Sequence, residues 1–275
     1  MSIPKVIHFA WFSNDQKPDS ILDCIQSWRR NCPDYEIIEW GLDNHPFTQY
    51  PWFQEAIIAK KWAFATDLFR LWVLKEHGGI YLDSDIYLNS TLDPFLSHRF
   101  FIGIEKWFYL GPHAMGAIPN HSIVEKMLEY YRTNHFLRAD GSYSMKAMPK
   151  IITPIFEKIT GFKVKGRLIS NSEFTIYPAN YLTVNTLDGK NFGEHRMSGS
   201  WIEGRKINLR SRFLENQMVN QSLLDDLTDF RHQGNSPIVS ILGTVAKTLR
   251  MFLPYILLAY IMVNFRKSER FERAY

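Results

Sequence analysis

The order of apolar and polar positions along the chain alternates between the period of a strand and that of a helix. Lys5 to Phe12 is a nearly continuous apolar run, as a strand covered on both faces requires. Pro18 to Arg30 follows with Ile21, Ile25 and Trp28 at helical spacing, and Tyr35 to Trp40 supplies a second strand. Strand, helix, strand in this order predicts a parallel pair with a right-handed crossover, the opening of an α/β domain. Ligands on such sheets bind at the carboxyl ends of the strands. Lys60 to His77 predicts a further helix, with Trp62, Ala65, Phe69 and Trp72 or Val73 on an apolar stripe and Gly78-Gly79 as its stop. It feeds directly into the short strand Ile80 to Leu82. Beyond it the pattern predicts a strand at Phe100 to Ile104, helices at Ser122 to Arg132 and Pro149 to Thr160, and extended chain from Phe174 to Val184.

The pattern changes after the polar stretch Arg231 to Asn235, so residues 1–235 read as one catalytic domain and 236–275 as an apolar helical tail. Met251 to Val263 carries no charge but is shorter than the ~20 residues of a spanning helix. Lys247, Arg250, Arg266 and Lys267 flank it, which suits an anchor lying on an anionic membrane surface; a helix packed on the domain or in an oligomer interface is the alternative.

Composition narrows the class. With 45% hydrophobic residues, 20 Phe, 13 Tyr and 8 Trp, the chain can offset the entropy of folding and is globular. The net charge of +4 is compatible with phosphate-bearing ligands, but the basic residues are scattered among acids and form no nucleic-acid stripe. Cys24 and Cys32 form neither a metal-type pair nor a disulfide framework, which fits a reducing compartment. The opening MSIPKVIHFAWF lacks the features of a secretion signal and reads as a first strand, so the expected location is cytoplasmic.

Chemistry concentrates in the middle of the domain. Asp83 and Asp85 stand two apart at the end of a predicted strand, where alternation points both carboxylates to one side and one divalent cation can bridge them. Magnesium or manganese takes carboxylate oxygens and is commonly completed by substrate phosphates. An Asp-x-Asp alone also occurs in ordinary surface loops, so context must decide. Upstream, Asp67 and Arg70 share one helix face amid Ala63, Phe64, Leu68, Phe69 and Leu71. That pair is either a structural ion pair or a binding pair, with the Asp accepting sugar hydroxyls beside an Arg that touches donor or phosphate.

The segment WAFATDLFRLWVLKEHGGIYLDSDIY, with the opening IPKVIHFAWF, closely resembles glycosyltransferase family 32, which is related to the catalytic domains of the large clostridial glucosylating toxins. The resemblance runs from Ile3 to about Trp201, through the loop YLGPHAMGAIPNHSIVEKML, the stretch FTIYPANYL and the late element from His195 to Trp201. It implies a GT-A fold, a Rossmann-like mixed sheet flanked by helices. It further implies that Trp11 stacks on the nucleotide base, with core packing as the alternative. Asp67 and Arg70 match the donor-binding Asp and Arg, Asp83 contacts ribose or sugar and the metal more loosely, and Asp85 is the direct metal ligand. Gly79 keeps the backbone close at the donor site. His195 is a candidate metal or diphosphate contact, against a satisfied surface histidine. Ser200 and Trp201 are candidate diphosphate donors through hydroxyl and indole N–H, with Trp201 as a core cap the alternative.

Two departures matter. Lys146-Ala147-Met148-Pro149 stands where the family often has a Thr-Gly-Pro turn, and Gly111-Pro112-His113 where many relatives carry an Asn. His113 and Glu105 are therefore acceptor-side candidates only. The resemblance implies transfer with retention from a nucleotide-sugar donor, UDP-hexose favoured and GDP-mannose among the alternatives, to a saccharide acceptor. With the tail, it suggests a lipid-linked acceptor at the inner face of a bacterial plasma membrane, in surface polysaccharide synthesis. Phosphoryl transfer lacks its Gly-rich phosphate loop here. A non-catalytic membrane-associated scaffold that binds nucleotide sugar is the other reading.

Overall fold

The computed structural model describes residues 2–13, 15–43, 50–105, 109–183 and 191–196. Ser200, Trp201 and the apolar tail lie outside these residues. The opening unit forms as the pattern predicts: β1 (Val6–Ala10), α1 (Asp19–Asn31) and β2 (Glu36–Trp40), with β1 and β2 parallel from Val6 opposite Glu36 to Ala10 opposite Trp40. Helices α2 (Pro51–Ile58) and α3 (Trp62–His77) lead to β3 (Gly79–Leu82), which lies parallel to β1 on its other side. Then come β4 (Ile86–Leu88), β5 (Phe100–Glu105), β6 (Tyr109–Ala117), α4 (Ser122–Thr133) and α5 (Met148–Thr160). The short elements β7 (Ile169–Ser170), β8 (Thr175–Tyr177), α6 (Ala179–Leu182) and β9 (Gly193–His195) follow.

Seven strands make one mixed sheet in the order β2-β1-β3-β6-β5-β8-β7, while β4 and β9 pair separately and antiparallel. The period of two along each strand divides the core between the two faces. Ile7, Phe9, Ile80, Leu82 and Phe101 join Ile21, Ile25 and Trp28 of α1 on one side. Tyr81, Phe100, Ile102 and Ile104 join α2, α3, α4 and α5 on the other. The result is a mixed α/β sheet covered by helices on both faces, the architecture expected of a GT-A domain.

Three local expectations are corrected. Helix α3 presents no single apolar stripe: every residue from Phe64 to Leu74 except Thr66 is buried, because helices and sheet surround it. The segment beginning at Tyr109 is no loop but a central strand, buried from Leu110 to Ala117. Its Gly and Pro read as breakers, yet the register jumps from Ile102 opposite Met115 to Gly103 opposite Gly111, and Pro112 sits in the resulting bulge where a missing N–H is tolerated. The expected extended run from Phe174 is cut short, since Pro178 starts the turn of α6 after β8. The pattern also left α2 without an element. Among the described residues no helix is long and apolar enough to cross a membrane.

The stop after α3 shows why two glycines stand together. Gly78 has φ +67°, and a Cβ there would lie 2.6 Å from Pro119 Cδ. Gly79 has φ +90°, and its Cβ would lie 2.8 Å from the carbonyl oxygen of Val6. Gly79 thus serves the approach of β3 to β1. Gly79→Ala is expected to destabilise the fold by about 2–3 kcal/mol, from a strained backbone and a contact that neither strand can relax. An unchanged melting temperature in thermal unfolding would refute this account of the β1–β3 packing.

Candidate active site

Strands β1 and β3 are parallel, so both end at the same edge of the sheet, and the chain leaves them into Trp11 and Asp83. Trp11 is half-buried: its N–H bonds the Trp40 carbonyl at 2.8 Å and its indole Nε1–H the Asp15 carbonyl at 2.9 Å. One part of the ring packs on the core, and Lys17 Nζ stands 5.5 Å from its centroid. The ring is therefore anchored by core contacts and placed at the edge where a ligand would lie.

Asp83 and Asp85 occupy the turn between β3 and β4. Their common side comes from this turn and not from strand alternation, because β3 ends at Leu82 and the Ile86 N–H closes on the Asp83 carbonyl at 3.0 Å. Strand β4 is pinned to α1 just beyond. Leu88 N–H donates to Ser27 Oγ at 2.9 Å, Trp28 Nε1–H to the Ile86 carbonyl at 2.7 Å, and Asn31 Nδ2–H to the Leu88 carbonyl at 3.0 Å. These bonds fix the turn to the rigid body of the domain.

Behind the turn lies Arg70, only 6% exposed on α3. Its guanidinium reaches Asp67 Oδ1 at 3.4 Å and Asp83 Oδ1 at 3.2 Å, donates from Nη1 to the Pro112 carbonyl at 2.9 Å, and lies 4.9 Å from the Tyr81 ring centroid. Burial opposes its charge, but Asp83, Tyr81 and Asp67 outweigh that and hold Arg70 firmly protonated. Tyr81 Oη donates to Asp83 Oδ1 at 2.7 Å. Asp67 is different: burial pushes its carboxyl up to about 7, with Arg70 pulling it down and Asp83 and Glu105 adding to the rise.

His195 reaches the turn through the pairing of β4 with β9. Ile86 stands opposite His195, one position after Asp85, and Arg196 N–H bonds the Asp85 carbonyl at 3.0 Å. A slip of one residue would turn His195 away. In the observed register His195 Nε2 lies 3.2 Å from Asp85 Oδ1. Burial lowers the proton affinity of this ring, yet Asp85 above all, with Asp83 and Glu105, raises its pKa to about 9. One ligand atom each from Asp83, Asp85 and His195 all lie within 4.8 Å of one another. Two hard carboxylates and an imidazole that attract positive charge to one point suit a divalent cation.

The structure thus brings together Asp67, Arg70, Asp83, Asp85 and His195, and sets Trp11 at the same edge. Gly79 lies at the far end of β3, and Ser200 and Trp201 fall outside the described residues. Glu105 and His113 stand beside the cluster, with Glu105 Oε2 4.0 Å from His113 Nδ1. Sequence reasoning missed Tyr81 and Thr183. Tyr81 was accessible in principle, being two residues before Asp83 on a strand; Thr183, 102 positions after Tyr81, was not.

The chain is 29% identical over 151 residues to inositol phosphoceramide mannosyltransferase 3 of Schizosaccharomyces pombe, covering 52% of this chain and 42% of the relative. It is 29% identical over 146 residues to mannosyl phosphorylinositol ceramide synthase CSH1 of Saccharomyces cerevisiae, covering 49% and 38%. The chain therefore spans less than half the length of these curated relatives. A solved structure entitled PaToxG Glycosyltransferase superposes with a TM-score of 0.46 at 18% identity, over 58% of this chain and 70% of that one. The model of the family described as glycosyltransferase sugar-binding region containing DXD motif matches residues 18–102. Over that span the chain is similar to the sugar-binding region of this family, and Asp83-Ser84-Asp85 is the one Asp-x-Asp within it.

Proposed function

We propose that the chain is a cation-dependent glycosyltransferase that moves a hexosyl group from a nucleoside-diphosphate sugar to a hydroxyl of a saccharide acceptor, with retention. The observation that carries this reading is the convergence of Asp83, Asp85 and His195 beside a buried Arg70 that already bridges Asp67 and Asp83. Asp85 and His195 would hold the cation, with Asp83, tied to Arg70 and Tyr81, the looser contact. A divalent cation bound there supplies positive charge against the negative charge of the departing diphosphate. Arg70 adds a fixed donor that needs no reorganisation as the anomeric C–O bond breaks and the acceptor C–O bond forms. Asp67 accepts or donates to sugar hydroxyls, and Trp11 stacks on the base.

For the donor we favour a UDP-hexose, and for the acceptor a lipid-linked saccharide of surface polysaccharide assembly. A mannosyl donor is the second reading, supported by the names of two relatives, a mannosyltransferase and a mannosyl phosphorylinositol ceramide synthase. The apolar, basic-flanked residues 236–275 are proposed to hold the protein on a membrane surface.

A panel of UDP- and GDP-sugars with manganese, followed by nucleotide release, tests the reaction. One donor should turn over, and Asp85→Ala should lower the rate by at least about 100-fold, as removal of a key electrostatic group does. No turnover of any donor would favour a non-catalytic scaffold. Asp67 offers a separate check. Its folded pKa is raised, so the unfolded chain releases the proton first and stability falls as pH rises from about 4 to about 7. The melting temperature of Asp67→Asn relative to the wild type should therefore rise with pH across that range, whatever the offset from its lost pairing with Arg70, while kcat/KM falls; a parallel pH dependence of the two proteins would sink this reading. Deleting 236–275 should abolish sedimentation with anionic liposomes and spare donor turnover, and persistent sedimentation would reject the anchor.

A further inference from the structure

His113 is enclosed in the middle of β6, 1% exposed, and none of the steps above uses it. Its Nε2 lies 2.9 Å from Thr183 Oγ1, and the Thr183 hydroxyl donates its single hydrogen to the Ile104 carbonyl at 2.8 Å. The hydroxyl can then only accept from the ring. His113 therefore carries its proton on Nε2, and Nδ1 has no hydrogen-bond partner among the described residues, Glu105 Oε2 standing 4.0 Å away. An apolar side chain would fill this position without an unmet acceptor, so simple packing does not account for a histidine here.

The ring's use lies on its face. His113 stacks on His195 with centroids 4.5 Å apart and planes inclined by 24°. A metal-ligating histidine is usually oriented by a hydrogen bond from its second ring nitrogen. His195 Nδ1 is buried and has no such partner among the described residues, so the stacked ring of His113 takes that place. The same two residues hold the cluster through their backbones. The Thr183 carbonyl accepts His195 N–H at 2.9 Å, and the His113 carbonyl accepts Asp83 N–H at 2.8 Å.

We infer that His113 and Thr183 form a positioning pair that sets the orientation of His195 and the place of Asp83 in the cation cluster. This rests on the proposed cation site. The Thr183 hydroxyl locks the His113 ring to β5, and the locked ring limits the rotation of His195. Neither residue touches the reacting groups.

Manganese binding to the full chain, read from loss of the free-ion electron paramagnetic resonance signal, tests it without reference to turnover. Thr183→Val, which keeps shape and loses the hydroxyl, should weaken binding about tenfold, as loss of an outer-shell partner does. Thr183→Ser should restore it to within about threefold of the wild type. His113→Leu should weaken binding to a similar degree, and the double variant should be no worse than the weaker single, because both act through one pair. Melting temperatures in chelator identify any variant that fails to fold, in which case the other single variant carries the test. Wild-type binding with undiminished binding in Thr183→Val and His113→Leu would overturn the positioning role and leave the cation site standing. Equal weakening in Thr183→Val and Thr183→Ser would also overturn it, and absence of manganese binding by the wild type would overturn the cation site and this inference together.

Discussion

A guanidinium buried behind the Asp-x-Asp turn is the constraint around which this domain is arranged. Arginine cannot shed its proton, so Arg70 must find acceptors inside the protein. It takes them from three parts of the chain: Asp67 one turn earlier on α3, Asp83 after β3, and the Pro112 carbonyl in the bulge of β6. Removing one member of such a buried set commonly costs about 3–5 kcal/mol, because a charge is left unmatched. The helix, the turn and the bulged strand are thereby tied to one point, and that point faces the ligand edge of the sheet.

Two carboxylates and an imidazole do not gather unaided, since Asp83 and Asp85 repel each other. The fold holds them by bonds that belong to other elements. Helix α1 grips β4 through Ser27, Trp28 and Asn31; β9 pairs with β4; and the Asp85 carbonyl accepts the Arg196 N–H. Arg196 is itself fastened, with Nη1 2.8 Å from Asp23 of α1 and its guanidinium 4.2 Å from the Tyr87 ring centroid. The cluster is preorganised: its groups are held in place by contacts with other elements.

Such an arrangement works against stability. Asp67 is kept where burial favours its neutral form, and Tyr131 Oη, His113 Nδ1 and His195 Nδ1 are buried without hydrogen-bond partners among the described residues. These three are half of the buried side-chain polar atoms without a partner among the described residues, the others lying on Glu125, Asn180 and Asn191, and they interrupt a core otherwise built of interlocked aromatic and aliphatic side chains.

Periodicity alone determined much of the frame. The apolar run of β1, the helical spacing of α1, and α3 with its glycine stop were legible because neighbours along the chain decide them. Asp67 with Arg70 and Asp83 with Asp85 were legible for the same reason, each pair being within three residues, and a resemblance carried by several linked motifs joined them into one site. Only the tertiary structure decided the rest. It turned an apparent loop with Gly and Pro into the central strand β6, because burial between β3 and β5 outweighs the breakers once the bulge absorbs Pro112. It set His195 beside Asp85 through the register of β4 with β9, and His113 against His195 through Thr183. Those contacts span about 70 to 110 positions of chain, and no local pattern encodes them, since each forms only when elements distant in sequence pack together.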